Sequence, residues 1–181
     1  MEKYAKNFLL TSFDVWLSEQ ESNSSDDLLL ALTQMTALPD DLTFLHRLPV
    51  DSAVASSQVI AKINFCQPDY IICCGMAASR EYLSVEVLAS NIGILTCDSR
   101  KDDYKTLQTS IDMGKLLAGT SIKISYDCGK FVCEQLYYLV LEYLQQCQVP
   151  SKCVFVHVPL LTDDNLPGIL EDFLVMIENL R

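Results

Sequence analysis

The chain alternates between short apolar runs and longer amphipathic segments, the pattern of a protein in which strands and helices follow one another. Residues 70–74 form an uninterrupted apolar run closed by Gly75, as expected for a central strand that is covered on both faces. Residues 154–158 have the same character and end at Pro159. These two runs therefore predict buried strands in the middle of a sheet.

Weaker patterns complete the alternation. Further strands are predicted at residues 7–11, 43–50 and 121–126, with a possible edge strand at 92–96. Helices are predicted at residues 27–32, 52–65, 109–117, 131–147 and 168–180. Residues 16–26 and 99–105 are expected to be exposed loops, and residues 84–90 a helix or loop. The order predicts a three-layer α/β/α sandwich with a mainly parallel mixed sheet, and residues 1–181 form a single domain because no linker divides them.

Charge and hydropathy narrow the classes of partner. The 181 residues carry a net charge of −11, so nucleic acid and anionic membranes are poor partners. The acidic pairs Asp26–Asp27, Asp40–Asp41 and Asp163–Asp164 are expected to lie in solvated loops and helix caps. No stretch approaches the ~18 apolar residues of a membrane helix, and residues 1–7 do not resemble a signal peptide. These features predict a cytoplasmic protein.

The cysteines do not point to a metal. Most of the eight lie within apolar runs, where a reduced thiol behaves as a small buried hydrophobe. The sequence has no Cys-x-x-Cys pair and only two histidines, His46 and His157. We therefore expect neither a metal site nor a cofactor.

Three residues could combine into a nucleophilic site. Cys133 follows a predicted strand and turn and lies near the start of a long helix, whose positive end is expected to lower a thiol's pKa. His157 lies near the end of a predicted central strand, and Glu86 follows the strand that ends at Gly75. A cysteine, a histidine and an orienting carboxylate make an activated nucleophile. The alternative is a core cysteine, a core histidine and a surface carboxylate; His46, beside Arg47, is read as surface.

The segment at 127–134 resembles the nucleophile motif of pyroglutamyl peptidase I, the pyrrolidone-carboxylate peptidases of cysteine peptidase family C15. Gly129 and Phe131 match that motif, so Cys133 takes the place of the nucleophile. Residues 155–159 resemble the family's histidine motif, and residues 84–91 resemble the segment that carries its glutamate. Further similar segments follow in the family's order, at residues 9–14, 23–25, 47–50 and 68–80. The resemblance spans about residues 8–161.

The resemblance implies a cysteine exopeptidase that removes pyroglutamate (5-oxoproline) from the N-terminus of blocked peptides. Cys133 would be the nucleophile, His157 the general base and Glu86 the group that orients the imidazole. The resemblance also implies a substrate pocket in which Phe13, Trp16 and Phe131 sandwich the lactam ring. Met76 and Val132, in two of the similar segments, are expected to line the same pocket. Family members often form dimers or tetramers, so a homo-oligomer is also implied.

Several departures from the family bear on activity. Val87 stands where the family usually has arginine, residues 92–96 lack the arginine thought to assist the oxyanion, and Glu134 replaces an asparagine. The stretch between Glu86 and Cys133, which includes a pocket-walling loop in the family, is shorter than usual. Two alternatives therefore stay open: a relative with altered specificity, and a non-catalytic scaffold or binding protein that kept the fold.

Overall fold

Strands and helices alternate along the chain in the computed structural model, which describes residues 6–35, 41–92, 94 and 103–181. The strands are β1 (Phe8–Phe13), β2 (Leu42–Leu48), β3 (Tyr70–Met76), β4 (Ser84–Glu86), β5 (Leu88–Ser90), β6 (Thr106–Gln108), β7 (Lys123–Ser125) and β8 (Lys152–Val158). The helices are α1 (Ser24–Thr33), α2 (Ser52–Cys66), α3 (Met113–Leu116), α4 (Val132–Gln146) and α5 (Leu166–Glu178).

The main sheet is mixed but mostly parallel. Over the described residues its strand order is β2-β1-β3-β8-β4-β7. All neighbouring pairs are parallel except β8 and β4, which run antiparallel. β5 and β6 form a separate antiparallel pair. The two apolar runs read as central strands are β3 and β8, which pair with each other from Tyr70↔Lys152 to Met76↔Val158.

Helices cover both faces of this sheet. Alternate strand residues point to opposite sides. Leu10, Ile72 and Val154 face a core completed by α1 and α5. Leu9, Ile71 and Phe155 face the core beneath α2 and α4. The predicted three-layer α/β/α fold is therefore confirmed.

The region between β3 and α4 differs most from the sequence prediction. Residues 84–90, expected as a helix or loop, form β4 and β5, and β6 was not predicted at all. Each of these strands has three residues, too few to show a periodicity. The predicted edge strand at 92–96 lies partly outside the described residues, and Ile92 and Ile94 lie in a turn. The predicted helix at 109–117 is reduced to α3, four residues long.

One acidic pair is not solvated as expected. Asp26 is buried in the first turn of α1, which begins at Ser24 with Asn23 as its N-cap, earlier than predicted. Its carboxylate accepts a hydrogen bond from Ser12 and is paired with His46 and Arg47. His46, expected at the surface, is 29% exposed, and its ring is also bound to this buried carboxylate. Asp163 and Asp164 are exposed as predicted.

None of the helices in the described part of the chain is both long and apolar enough to cross a membrane.

Candidate active site

Cys133 is the second residue of α4, the helix that packs across the β3–β8 side of the sheet. Its sulfur lies against Gly75 of β3: a Cβ atom added to Gly75 would be 2.8 Å from Cys133 Sγ and 2.7 Å from Phe155 Cζ. Gly75 therefore leaves the space that the thiol occupies, and an alanine there would require the sulfur or the ring to move. Because Gly75 pairs with His157 across β3 and β8, the sulfur lies beside the strand position that carries His157.

His157 and Glu86 form a buried pair. Nδ1 of His157 lies 2.7 Å from Oε1 of Glu86, and the two side chains are 6% and 0% exposed. The antiparallel pairing of β4 with β8 places Glu86 opposite Phe155, two residues before His157 on the same face. A hydrogen bond between Nδ1–H and the carboxylate leaves Nε2 as the nitrogen that can accept a proton.

Arg80 supplies a cation that the sequence analysis did not assign to the site. Its Nη1 lies 2.7 Å from Oε1 of Glu86 and also contacts Ser84 Oγ. Its Nη2 donates to the backbone carbonyl of Asp127, at 2.9 Å, in the loop that leads to α4. Arg80 thus ties Glu86 to the loop that precedes Cys133. In the sequence, Arg80 is a cation six residues before Glu86. Without the fold, it could not be distinguished from a surface arginine.

The protonation state of Cys133 differs from the sequence expectation. The start of α4 was expected to lower the thiol's pKa. Instead, burial and then the negative charge of Glu86 raise the pKa of Cys133 to about 12. Desolvation outweighs the favourable hydrogen bonding at the helix start, because a thiolate at this partly buried position loses much of its hydration. The resting thiol is therefore neutral at physiological pH and needs a base to become nucleophilic.

The start of α4 is nevertheless open to an incoming negative charge. Phe131 precedes the helix as its N-cap and makes no side-chain capping hydrogen bond. The first amides of a helix have no intrahelical acceptor. Backbone N–H groups in the first turn of α4, next to Cys133, are thus able to donate to an oxyanion.

The five residues expected in the pocket are not all in one place. Trp16 and Phe131 are about half-exposed and touch each other, with ring centroids 5.1 Å apart at 53°. Met76 lies at the end of β3 and lines a cavity of about 400 Å³ that Trp16 also borders. Phe13 and Val132 are buried in the core beneath α2 and α4. Phe13 is 2% exposed, so its ring does not form a sandwich with the other two aromatic rings in this structure.

Neighbours on α4 fix the helix to the short strands. Tyr137 Oη donates to the backbone carbonyl of Glu86 at 3.1 Å. Glu134, which departs from the family motif, accepts hydrogen bonds from the amide and hydroxyl of Ser90 in β5. These bonds hold β4 and β5 against the start of α4, so the positions of Glu86 and Cys133 depend on each other.

Cys128 is the second site neighbour that sequence reasoning passed over. It is buried, and one donor atom from each of Cys128, Glu86 and His157 lies within 4.8 Å of the other two. It is one of eight cysteines, and nothing in the sequence assigns it to the site.

Comparisons with known proteins show which sequences this chain is similar to. The sequence model of the family described as pyroglutamyl peptidase matches residues 112–169, which include Cys133 and His157. The pyrrolidone-carboxylate peptidase of Vibrio parahaemolyticus is 29% identical over 160 residues, covering 77% of this chain and 74% of the relative. That of Pseudomonas fluorescens is 26% identical over 175 residues, covering 86% and 79%.

Solved structures share the fold. Pyroglutamyl peptidase I from Bacillus amyloliquefaciens superposes with a TM-score of 0.77 at 20% identity, over 96% of this chain and 94% of that one. Pyrrolidone carboxyl peptidase from Thermococcus litoralis gives a TM-score of 0.77 at 17% identity, over 97% and 93%. The sequence match around the candidate nucleophile, the relatives and the shared architecture lead to one conclusion: the chain is similar in sequence to pyrrolidone-carboxylate peptidases and shares the fold of pyroglutamyl peptidase I.

Proposed function

We propose that the protein is a cysteine exopeptidase that hydrolyses pyroglutamate from the N-terminus of peptides. The observation that carries the proposal is the buried His157–Glu86 pair, together with the Cys133 sulfur that packs against Gly75 on the neighbouring strand. Its relatives named pyrrolidone-carboxylate peptidase support the same reaction.

In the proposed reaction His157 Nε2 takes the proton of the Cys133 thiol while the sulfur attacks the carbonyl that joins pyroglutamate to the next residue. Glu86 holds the imidazole in the required tautomer and stabilises the imidazolium that forms. The amide nitrogen leaves with a proton from His157, and water then releases pyroglutamate from the thioester. Because the pKa of Cys133 is about 12, proton removal belongs to the attack itself rather than to a preformed thiolate.

The proposed acyl pocket lies at the Trp16–Phe131 contact. Phe131 is two residues before Cys133, and its ring contacts Trp16, which borders the same cavity as Met76. A flat lactam ring would pack on these partly exposed side chains. Backbone amides at the start of α4 would bind the oxyanion, a task for which the family arginine is missing here.

The test is the release of a fluorophore from a pyroglutamyl amide by the wild-type chain, Cys133→Ser and Cys147→Ser. Cys147 is exposed, so its replacement is the matched control. We expect turnover by wild type and Cys147→Ser, and a loss of at least about 10³-fold in Cys133→Ser. Full activity in Cys133→Ser would disprove the assignment of the nucleophile.

The non-catalytic scaffold is favoured by one observation, the raised pKa of Cys133. It predicts that the wild type releases no fluorophore from any acyl amide. It also predicts that the thiol never forms a covalent adduct with a pyroglutamyl chloromethyl ketone, whereas the exopeptidase predicts an adduct at Cys133 by mass spectrometry.

We also propose that the protein forms a dimer or tetramer and is located in the cytoplasm. Sedimentation equilibrium distinguishes a dimer or tetramer from a monomer.

A further inference from the structure

Cys128 has no role in the proposed reaction, yet it lies beside the two residues that would activate Cys133. Its sulfur, a carboxylate oxygen of Glu86 and a ring nitrogen of His157 are all within 4.8 Å of one another. All three side chains are buried. They come from three separate parts of the chain, so no short sequence motif predicts the cluster.

One oxygen of this cluster lacks a partner. Oε1 of Glu86 is bound by both His157 and Arg80, whereas Oε2 is buried and has no hydrogen-bond partner among the described residues. A buried carboxylate oxygen without a donor is unfavourable, and a bound cation or proton would relieve that cost. This observation is independent of the positions of the sulfur and the imidazole.

The three donors suit a thiophilic divalent cation. Zn²⁺ is bound in proteins by thiolate, imidazole and carboxylate, at about 2.3 Å for sulfur and about 2.0–2.2 Å for nitrogen and oxygen. Donors around a tetrahedral Zn²⁺ are therefore about 3–4 Å apart, so the present cluster needs only a modest contraction.

We propose that Glu86, Cys128 and His157 form an inhibitory site for Zn²⁺. On binding, the S–H bond of Cys128 breaks, its proton passes to solvent and a sulfur–zinc bond forms, with no change in oxidation state. Glu86 contributes Oε2, His157 contributes a ring lone pair, and water takes the fourth position. Arg80 keeps its place on Oε1, and its positive charge moderates the affinity.

Inhibition follows because a metal-bound His157 cannot accept the proton of Cys133. This consequence rests on the proposed function, but the binding of the cation does not. The two are therefore tested by separate measurements.

Binding is tested by adding Co²⁺, which gives a thiolate-to-metal charge-transfer band, to the wild type, Cys128→Ser, Cys133→Ser and Cys147→Ser, and by measuring Zn²⁺ competition. We expect the band and its displacement by Zn²⁺ in all but Cys128→Ser. A band that persists in Cys128→Ser, or that disappears in Cys133→Ser, would overturn the proposal by placing the cation on another thiol. Absence of a band in the wild type would also overturn it.

Inhibition is tested on the pyroglutamyl amide, as the ratio of rates with and without Zn²⁺ for each variant. The half-inhibitory Zn²⁺ concentration is expected to rise at least about tenfold in Cys128→Ser, the cost of about 1.4 kcal/mol of lost ligation. Equal inhibition of wild type and Cys128→Ser would contradict the inhibitory role. If the wild type shows no turnover at all, the proposed function fails, while the Co²⁺ band still decides whether the site exists.

Discussion

Two regions of the molecule contain the same three kinds of side chain. In one, Asp26 is bound by His46, whose Nδ1 lies 2.7 Å from Oδ1, and by Arg47. In the other, Glu86 is bound by His157, whose Nδ1 lies 2.7 Å from Oε1, and by Arg80. Each region thus has a buried carboxylate, a histidine that it orients, and an arginine.

Their surroundings differ. Both oxygens of Asp26 are occupied, since Ser12 donates to Oδ1 at 2.7 Å and Arg47 Nε binds Oδ2 at 3.1 Å. The His46 ring stacks on Phe44. Around Glu86, by contrast, one oxygen has no partner in the described structure, and the sulfur of Cys133 lies by the neighbouring strand position. We infer that the Asp26 group is structural, because both carboxylate oxygens have partners. The Glu86 group is suited to chemistry, because it lies near the Cys133 thiol and one of its carboxylate oxygens can still accept a hydrogen bond.

The largest expected effect separates the two histidines. His157→Ala should lower kcat/KM on a pyroglutamyl amide by at least about 10³-fold, because the thiol loses its base. His46→Ala should change the rate by less than about threefold while lowering the stability, because the buried carboxylate of Asp26 loses a partner. Steady-state kinetics and urea unfolding of both variants provide the measurement. The reverse pattern would mean that the catalytic cluster has been misidentified.

The two arginines should differ by a smaller factor. Arg80→Gln removes the cation from Glu86 and is expected to lower kcat/KM by about 10- to 100-fold, the equivalent of a charged hydrogen bond of about 1.5–3 kcal/mol. Arg47→Gln is the matched control and should retain the wild-type pH–rate profile. Arg80→Lys should restore part of the rate; identical profiles for all four proteins would exclude a positioning role for Arg80.

The smallest expected effect concerns stability and pH. Although burial alone would raise the pKa of Asp26, hydrogen bonds from Ser12, His46 and Arg47 bring that pKa below its ordinary value. A carboxyl group whose pKa is lowered on folding stabilises the protein above its unfolded pKa, and this stabilisation is lost as the pH falls through the lowered pKa. Asp26→Asn should therefore cost roughly 1–3 kcal/mol at neutral pH, and the difference from wild type should shrink in acid.

Urea unfolding of wild type and Asp26→Asn at pH 7 and at decreasing pH measures this difference, with Asp163→Asn as the control, because Asp163 is exposed. A difference that stays constant from neutral to acidic pH would show that the charge of Asp26 does not contribute.

The long elements could be predicted from the chain, whereas the three short strands β4, β5 and β6 could not. β3, β8, α2 and α4 each have seven or more residues, enough for an apolar run or a helical period to be recognised. β4 and β6 have three residues each, and their pairing partners lie far away in sequence. Their extended conformation comes from backbone hydrogen bonds with other strands, not from a pattern of their own.

The residues of the candidate site could be named from the sequence only in part. Cys133, His157 and Glu86 could be named because each stands in a segment that resembles the family motif. Arg80 and Cys128 could not be assigned to it, since only the folded chain brings Arg80 to Glu86 and Cys128 to His157. The expected lowering of the Cys133 pKa was wrong because helix position is visible in a sequence, whereas burial of a sulfur between α4 and β3 is not.

The sequence by itself determined the three-layer fold, since hydrophobic periodicity is a local property that each strand or helix carries in its own residues. It also determined the residue types that any reaction must use. Only the tertiary structure showed that Arg80 and Cys128 adjoin the His157–Glu86 pair, and that the thiol of Cys133 rests protonated. Both depend on distance and desolvation between residues remote in the chain, and a sequence does not encode these in any local pattern.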